Sequence, residues 1–427
     1  MSSIQYEITD FIEEQDIKFV RLAFCDIFGN QKNISISTEE LERAFNTGIS
    51  FDASAIKGFK SITDSDLLLF PIADTMQILP WRPSSGGVIM FNCELRNTDK
   101  TPYTNDSRRN LLNFMNMSSG KGFNFGIGSE CEFYLFKLDS EGEITSKPID
   151  NGGYLDIAPL DKGEDIRREI CLTLQEMGFY TERSHHESGP GQMEVDFKHG
   201  KPLQAADNLV TFKNVVKSIS ARNGLYASFL PKPIKDKSGN GLHVNISLKT
   251  DKYPMSEELN IKMVSGVLNR LREISIFSCP HVNSYERLGS FEAPNTIGWG
   301  YGNRDLAIRI PSAEGEYSRI EVRTPDSSAN PYILYHLLCE AIIEGVEDKT
   351  PHYDELDRNN IDSSLVESLP TSLEEAIEIA KDSEFLKRVL PESVLSSYIE
   401  EKEKEVAICK EAKDYYKKGR QLFFERL

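Results

Sequence analysis

The sequence predicts an α+β fold built on a mainly antiparallel sheet. Three observations carry that reading. The chain has 427 residues, enough for two or three domains. Residues 17–100 read mostly as short strands and turns. After a polar linker at 101–106, strand-like and helix-like segments alternate to the end. A domain boundary near residue 103 fits all three.

In chain order, Lys18 to Phe24 is a strand candidate and Asp26-Ile27-Phe28-Gly29-Asn30 then turns. Glu39 to Thr47 is predicted helical. Ser37 or Thr38 offers a cap, Glu40 completes a capping box with Ser37, and Gly48 offers the stop. A loop follows at Phe51 to Phe59. Asp106 or Ser107 caps a helix from Arg108 to about Ser118. Further strands are predicted at 124–138, 191–198, 226–230, 242–248, 305–310 and 318–323. Helices are predicted at 163–178, 203–223, 256–277, 331–347 and 373–388. The charge-rich segment 394–427 is predicted helical, either as a solvated helix or as a subunit-packing arm.

Lys and Arg number 49 against 67 Asp and Glu, a formal charge of −18. So acidic a chain is unsuited to nucleic acid or an anionic membrane as its main partner. The start, Met1 to Glu7, lacks the basic and apolar parts of a signal peptide. The most apolar stretch, Tyr332 to Ile343, is interrupted by His336 and Glu340 and is too short to span a bilayer. Seven scattered cysteines with no C-x-x-C pair point to free thiols in a reducing, cytoplasmic setting and away from a zinc-thiolate site.

The chemistry lies in polar strand faces. Side chains two apart on a strand share a face. Glu130 and Glu132 therefore point the same way, as do Gln192, Glu194 and Asp196. So do His243, Asn245 and Ser247, and Arg319, Glu321 and Arg323. Any one pair is an ordinary wet strand face. If four such faces converge, the carboxylates repel unless cations sit between them, and hard oxygen ligands with one imidazole favour Mg²⁺ or Mn²⁺. Arg287, Arg304, Arg309, Arg319 and Arg323 lie near one another in loops rich in Gly, Asn and Pro. Singly these arginines read as surface ion pairs; beside carboxylate strands they point to a bound anion. No G-x-x-x-x-G-K-[ST] or G-x-G-x-x-G is present, which disfavours a P-loop or Rossmann site.

Taken together and in order, these motifs resemble type I glutamine synthetase over nearly the whole chain. Phe51-Asp52-Ala53-Ser54 resembles the family's F-D-G-S loop, and Gly128 to Phe136 its G-x-E-x-E-F strand. His185 to Phe197 resembles H-H-E-x-x-P-G-Q-x-E-x-x-F, and Lys232-Pro233 with Gly239 to Leu248 resembles K-P…G-x-G-x-H-x-x-x-S-L. Asn283 to Leu288, Phe291 to Pro294, Asn303-Arg304, Arg309-Ile310-Pro311 and Arg319 to Tyr332 complete the set.

The resemblance implies a β-grasp domain at 1–102 and a catalytic α/β domain at 103–427 with a curved antiparallel sheet and a C-terminal helical arm. It implies a dodecamer of two hexameric rings with shared active sites, and two divalent ions per site. Glu132, Glu187 and Glu194 would hold one ion; Glu130, His243 and Glu321 would hold the other. Gly239, Arg287 and Arg323 would bind glutamate. Ser247, Arg304, Arg309 and Arg319 would serve ATP. Glu292 would guard the intermediate, and Asp52, from an adjacent subunit, would take the proton of ammonium. The implied activity is ATP-dependent ligation of ammonium to the glutamate γ-carboxylate through γ-glutamyl phosphate.

Some positions depart from the family pattern. Ala53 and Ala55 flank Ser54 where a second hydroxyl is usual, Ser238-Gly239-Asn240-Gly241 replaces N-G-S-G, and Glu316 stands where a basic residue is expected. No N-L-Y-x-L-P loop is evident between Asp348 and Ser368, so control by adenylylation is not expected. Two further readings remain: a γ-glutamyl-amine ligase, left room by Ala53 and Ala55, and a non-catalytic paralogue, against which the full set of metal-type ligands speaks.

Overall fold

The computed structural model describes residues 3–82, 85–312, 317–356 and 366–427. Glu316 lies outside these residues, as does part of the stretch read for an adenylylation loop.

The first part of the chain forms α1 (Ser3–Glu14), β1 (Ile17–Cys25), β2 (Gln31–Ser37), α2 (Leu41–Thr47), β3 (Ile49–Asp52), β4 (Asp66–Pro71), β5 (Gln77–Ile78) and β6 (Gly87–Arg96). The strands make one sheet in the order β2-β1-β6-β4-β3, with β5 beside β6. β1 and β6 run parallel; their neighbours are antiparallel. Leu67, Leu69, Ile89 and Phe91 are fully buried on one face, packed with Ile8 of α1 and Leu41 and Ala44 of α2. The predicted Ser37–Glu40 capping box does not form. Thr38–Glu40 is instead a 3₁₀ turn, and the Ser37 side chain makes no cap bond. Gly48 does end α2, at φ +78°, with its N–H on the Ala44 carbonyl.

The second part contains α3 (Ser107–Gly120), β7 (Phe123–Leu138), β8 (Ile144–Pro148), α4 (Glu164–Glu176), β9 (Thr181–His186), β10 (Gln192–Phe197), α5 (Pro202–Arg222), β11 (Leu225–Ser228), β12 (Leu242–Thr250), α6 (Glu257–Ser278) and α7 (Ser284–Arg287). It continues with β13 (Thr296–Tyr301), β14 (Leu306–Ile310), β15 (Ile320–Val322), α8 (Pro331–Val346), α9 (Leu373–Asp382), α10 (Glu384–Val389), α11 (Glu392–Lys410) and α12 (Tyr415–Phe423). Nine strands form one sheet, ordered β13-β14-β15-β12-β7-β10-β9, with β8 and β11 on the far half of β7. It is antiparallel except for β13 beside β14.

Packing explains why these segments fold so. Val244, Ile246 and Leu248 of β12 and Cys131, Phe133 and Leu135 of β7 alternate into the core. Behind them α5, opened by Pro202, buries Leu209, Phe212, Val216 and Ile219. α6 and α8 cross at Gly266 and Gly345, where any Cβ would lie about 2.1–2.2 Å from a carbonyl oxygen of the other helix. Asp106 caps α3 by accepting from the Arg109 N–H, as predicted.

Two predicted elements are corrected. The helix over 373–388 is two helices: Ser383 is extended (φ −71°, ψ 111°), and its hydroxyl caps α10 by accepting from the Leu386 N–H. The charged tail is not one solvated helix. It breaks after Lys410, and α11 buries Lys402 and Glu405 against His281.

Candidate active site

Cross-strand register brings the polar faces into one field on the large sheet. Glu130 of β7 lies between Asp196 of β10 and His243 of β12. Glu132 is opposite Glu194, and Glu194 is opposite His185 of β9. On the other side Asn245 is opposite Glu321 of β15, which is opposite Arg309 of β14. Strand alternation thus puts apolar neighbours into the core and leaves these groups on the opposite face.

Their side chains meet. His243 Nδ1 is 3.4 Å from Glu130 Oε2 and 4.0 Å from Glu321 Oε1. His185 is 3.4 Å from Glu187 through Nδ1 and 3.3 Å from Glu194 through Nε2. Ligand atoms of Glu130, Glu194 and His243 lie within 4.8 Å of one another, and so do those of His185, Glu187 and Glu194. Glu194 belongs to both groups. Glu132 faces Glu194 and is anchored on Oε2 by Gln192 Nε2 (2.9 Å) and the Gly241 N–H (2.8 Å). Gly241 has to lack a side chain, since a Cβ would sit 2.8 Å from Arg287 Nη2 and 3.1 Å from His243 Nε2.

Charge is unevenly balanced across this field. Burial acts to raise the Glu130 carboxyl, but hydrogen bonding and attraction from His243, with Asn245 and Arg183, outweigh it and bring it down to about 2. Burial opposes ionisation of Glu321 as well; His243, Arg323 and Arg309 overcome it and lower its carboxyl. At Glu187 and Glu194 the nearby positive charge does not offset burial and repulsion. Burial first, then the charges of Glu132 and Glu292, push Glu187 up to about 8. Burial and the charges of Glu132, Asp196, Glu187 and Glu130 raise Glu194 well above its ordinary range. Carboxyls held this way take up protons or cations to relieve their repulsion. Hard oxygen donors with imidazoles at the edge fit Mg²⁺ or Mn²⁺.

The arginines frame the field. Both Glu321 oxygens are taken at 2.5 Å, one by Arg309 and one by Arg323. Arg323, 1% exposed, also donates to the carbonyls of Arg304 and Glu292, which ties their two loops together. Arg287 is buried and donates to the carbonyls of Thr324 and Arg323. Gly239 packs against its side chain and gives its own carbonyl to Gln192. Arg304 and Glu292 lie at the exposed rim, 3.7 Å apart. Arg319 donates to Asn245 Oδ1 (2.9 Å), whose amide donates to Glu130 Oε1 (2.9 Å). Ser247 is half-buried on the Asn245 face.

Asp52 stands apart. It ends β3 opposite Asp66 and is exposed, and Oδ1 accepts from the Ser54 hydroxyl and N–H. The Ser54 hydroxyl, then its N–H, lower the Asp52 carboxyl. Among the described residues no contact joins it to the carboxylate field of its own chain.

Groups here that were not among the predicted site residues include His185, Gln192 and Asn245, with Asp196 and Arg183 beside them. The period-two pattern already put Gln192 with Glu194 and Asn245 with His243. His185 follows only from the β9–β10 register.

Comparisons with known proteins agree with this architecture. The family model described as "Glutamine synthetase, beta-Grasp domain" matches residues 16–98, and "Glutamine synthetase, catalytic domain" matches 104–418. A glutamine synthetase of Clostridium saccharobutylicum is 39% identical over 92% of this chain and 93% of its own. One of Methanosarcina mazei is 40% identical over 93% of each. A solved structure titled "GmaS/ADP complex-Conformation 1" superposes with a TM-score of 0.85 at 27% identity, covering 94% of this chain and 96% of that one. A two-domain chain with a carboxylate-lined sheet of this kind belongs to the glutamine synthetase family. Membership makes it an enzyme of the glutamate–ammonia ligase kind.

Proposed function

We propose that this enzyme joins ammonium to the γ-carboxylate of L-glutamate at the expense of ATP, by way of γ-glutamyl phosphate. One observation carries the reading: Glu130, Glu187, Glu194 and His243 converge beside Glu132, with arginines on the flank. Glu130, Glu132, Glu187, Glu194, His243 and Glu321 would hold two divalent ions. When bound, such ions neutralise phosphate charge during phosphoryl transfer.

The chain's own groups then have distinct tasks. A glutamate γ-carboxylate is a poor electrophile until it is phosphorylated. Arg304 and Arg309 offer positive charge to the phosphates, with Arg319 and Ser247 toward the nucleotide. Arg287 and Arg323 supply positive charge for the amino acid's carboxylates, and Gly239 supplies backbone for its amino group. Glu292, on a rim loop tied down by Arg323, shields the acyl phosphate from water. Ammonium must shed a proton before it attacks, and on this reading Asp52 of a neighbouring subunit would accept it. The reading therefore includes a homo-oligomer, a dodecamer of two stacked rings acting in the cytoplasm. No helix among the described residues is long and apolar enough to cross a membrane.

A second reading has its own support. The likeness to GmaS structures, with Ala53 and Ala55 flanking Ser54, favours a larger amine as acceptor. Phosphate release with glutamate and ATP, measured for ammonium and for a panel of amines, separates the two. Preference for ammonium supports the first reading. Preference for an amine overturns it in favour of the second, and no turnover with any acceptor leaves a binding protein.

A further inference from the structure

A cavity of about 770 Å³ lies away from the carboxylate field, between the β1–β2 turn, α5 and the C-terminal helices. None of Glu130, Glu194, His243 or Arg309 lines it. Its volume suits a small molecule.

Its carboxylates are already engaged. Asp26 accepts from the backbone of Phe28 and Asn30 and faces Lys32 at 3.8 Å. Glu401 pairs with Lys57 and Lys404. Glu405 is held by Lys402, His281 and the Val282 N–H. Lys213 and Lys217 have no Asp or Glu within ion-pair distance among the described residues. Lys213 and Lys217, four apart on α5, share a helix face and lie 5.9 and 5.8 Å from the Phe229 ring. Among the described residues Lys213 reaches the Ala329 carbonyl at 3.5 Å and Lys217 that of Arg426 at 3.0 Å. Asp326 attracts Lys213 from beyond ion-pair distance; no Asp or Glu among the described residues pairs with Lys217, whose ammonium is brought down to about 8 by burial and then by Lys213. Two neighbouring ammonium groups taken out of water without counter-charge are costly, and an anion between them removes the cost.

We infer that this cavity is a binding site for a small dianion, a phosphate or a dicarboxylate, held by Lys213 and Lys217 across the join of the N-terminal sheet, α5 and the C-terminal helices. The site is separate from the one proposed for the ligase reaction.

Calorimetric titration of the full chain with inorganic phosphate and, separately, with succinate tests this. Saturable binding of at least one, with a rise in Tm, is expected, and the anion preferred identifies the chemistry. Lys217→Met removes the charge and keeps an unbranched aliphatic side chain. It should bind about tenfold more weakly or worse, the effect of losing one charged hydrogen bond, and be no less stable without anion. Lys217→Arg should retain binding. Arg309→Gln, which alters the other site, should bind as the wild type does. No saturable binding of either anion, unchanged affinity in Lys217→Met, or loss of binding in Arg309→Gln would overturn the assignment.

Discussion

His185 and His186 are neighbours on β9, yet they face two different clusters of candidate ligands. His185 turns to Glu187 and Glu194; His186 turns to Asp150 and Asp161. Each cluster sets one imidazole beside two carboxylates. They differ in what already occupies their oxygens. Asp150 accepts from the N–H groups of Gly152, Lys162 and Gly191 and from His186 Nε2. Asp161 accepts from the Gly163 N–H and from both Nη atoms of Arg167. On the His185 side no arginine or lysine among the described residues pairs with Glu187 or Glu194, and both carboxyls are raised, first by burial and then by Glu132. At Asp150 and Asp161 an arginine and backbone donors are built in, and that cluster is scaffold. At Glu187 and Glu194 no such arginine stands among the described residues, which leaves room for a cation.

The contrast is open to breakage. The largest effect belongs to the scaffold face. Asp161→Ala strands the buried Arg167 and should cost about 3–5 kcal/mol in urea unfolding, with activity per folded molecule little changed. On the other face Glu194→Gln should lower turnover by about 10²–10³-fold while Tm in the absence of metal holds or rises. If both variants lose stability alike, the distinction between the faces fails.

A third histidine sharpens the rule. His336 of α8 has no carboxylate partner among the described residues and packs on Phe114 at 4.6 Å between ring centres. Burial drives its imidazolium down to about 4, from 6.5. The unfolded chain then binds the proton that the folded chain refuses. Stability from this group is therefore present above about pH 6.5 and falls away toward pH 4. At pH 5 its loss is about 2 kcal/mol relative to pH 7. His336→Leu should flatten that limb of the urea-midpoint profile; an unchanged slope would show that other groups carry it. The smallest effect is expected at Asn245→Ala, which cuts the link from Arg319 to Glu130 without removing a proposed ligand. A loss of activity of about tenfold is expected, with Tm near normal.

Much of the site was legible because β-strands have a strict period of two. Once Glu130-Cys131-Glu132 and His243-Val244-Asn245 are read as strands, their polar faces follow. The same rule could not tell that both oxygens of Glu321 would be gripped by Arg309 and Arg323, because that depends on β14 and β15 lying side by side. Nor could it show that the charged tail folds back to bury Lys402 and Glu405. Charge content signals solvent until a partner such as His281 arrives from elsewhere in the chain.

The sequence by itself determined the order of the motifs, the polar and apolar faces of the strands, and the ligand types suited to a hard cation. These are local properties of residue type and spacing. Tertiary structure decided which carboxylates are paired with arginine, that His185 joins Glu187 and Glu194 while His186 does not, and that Lys213 and Lys217 face one cavity. Those outcomes depend on register between strands and on packing between distant segments, and a burial cost falls on a charge only when the fold has chosen its neighbours.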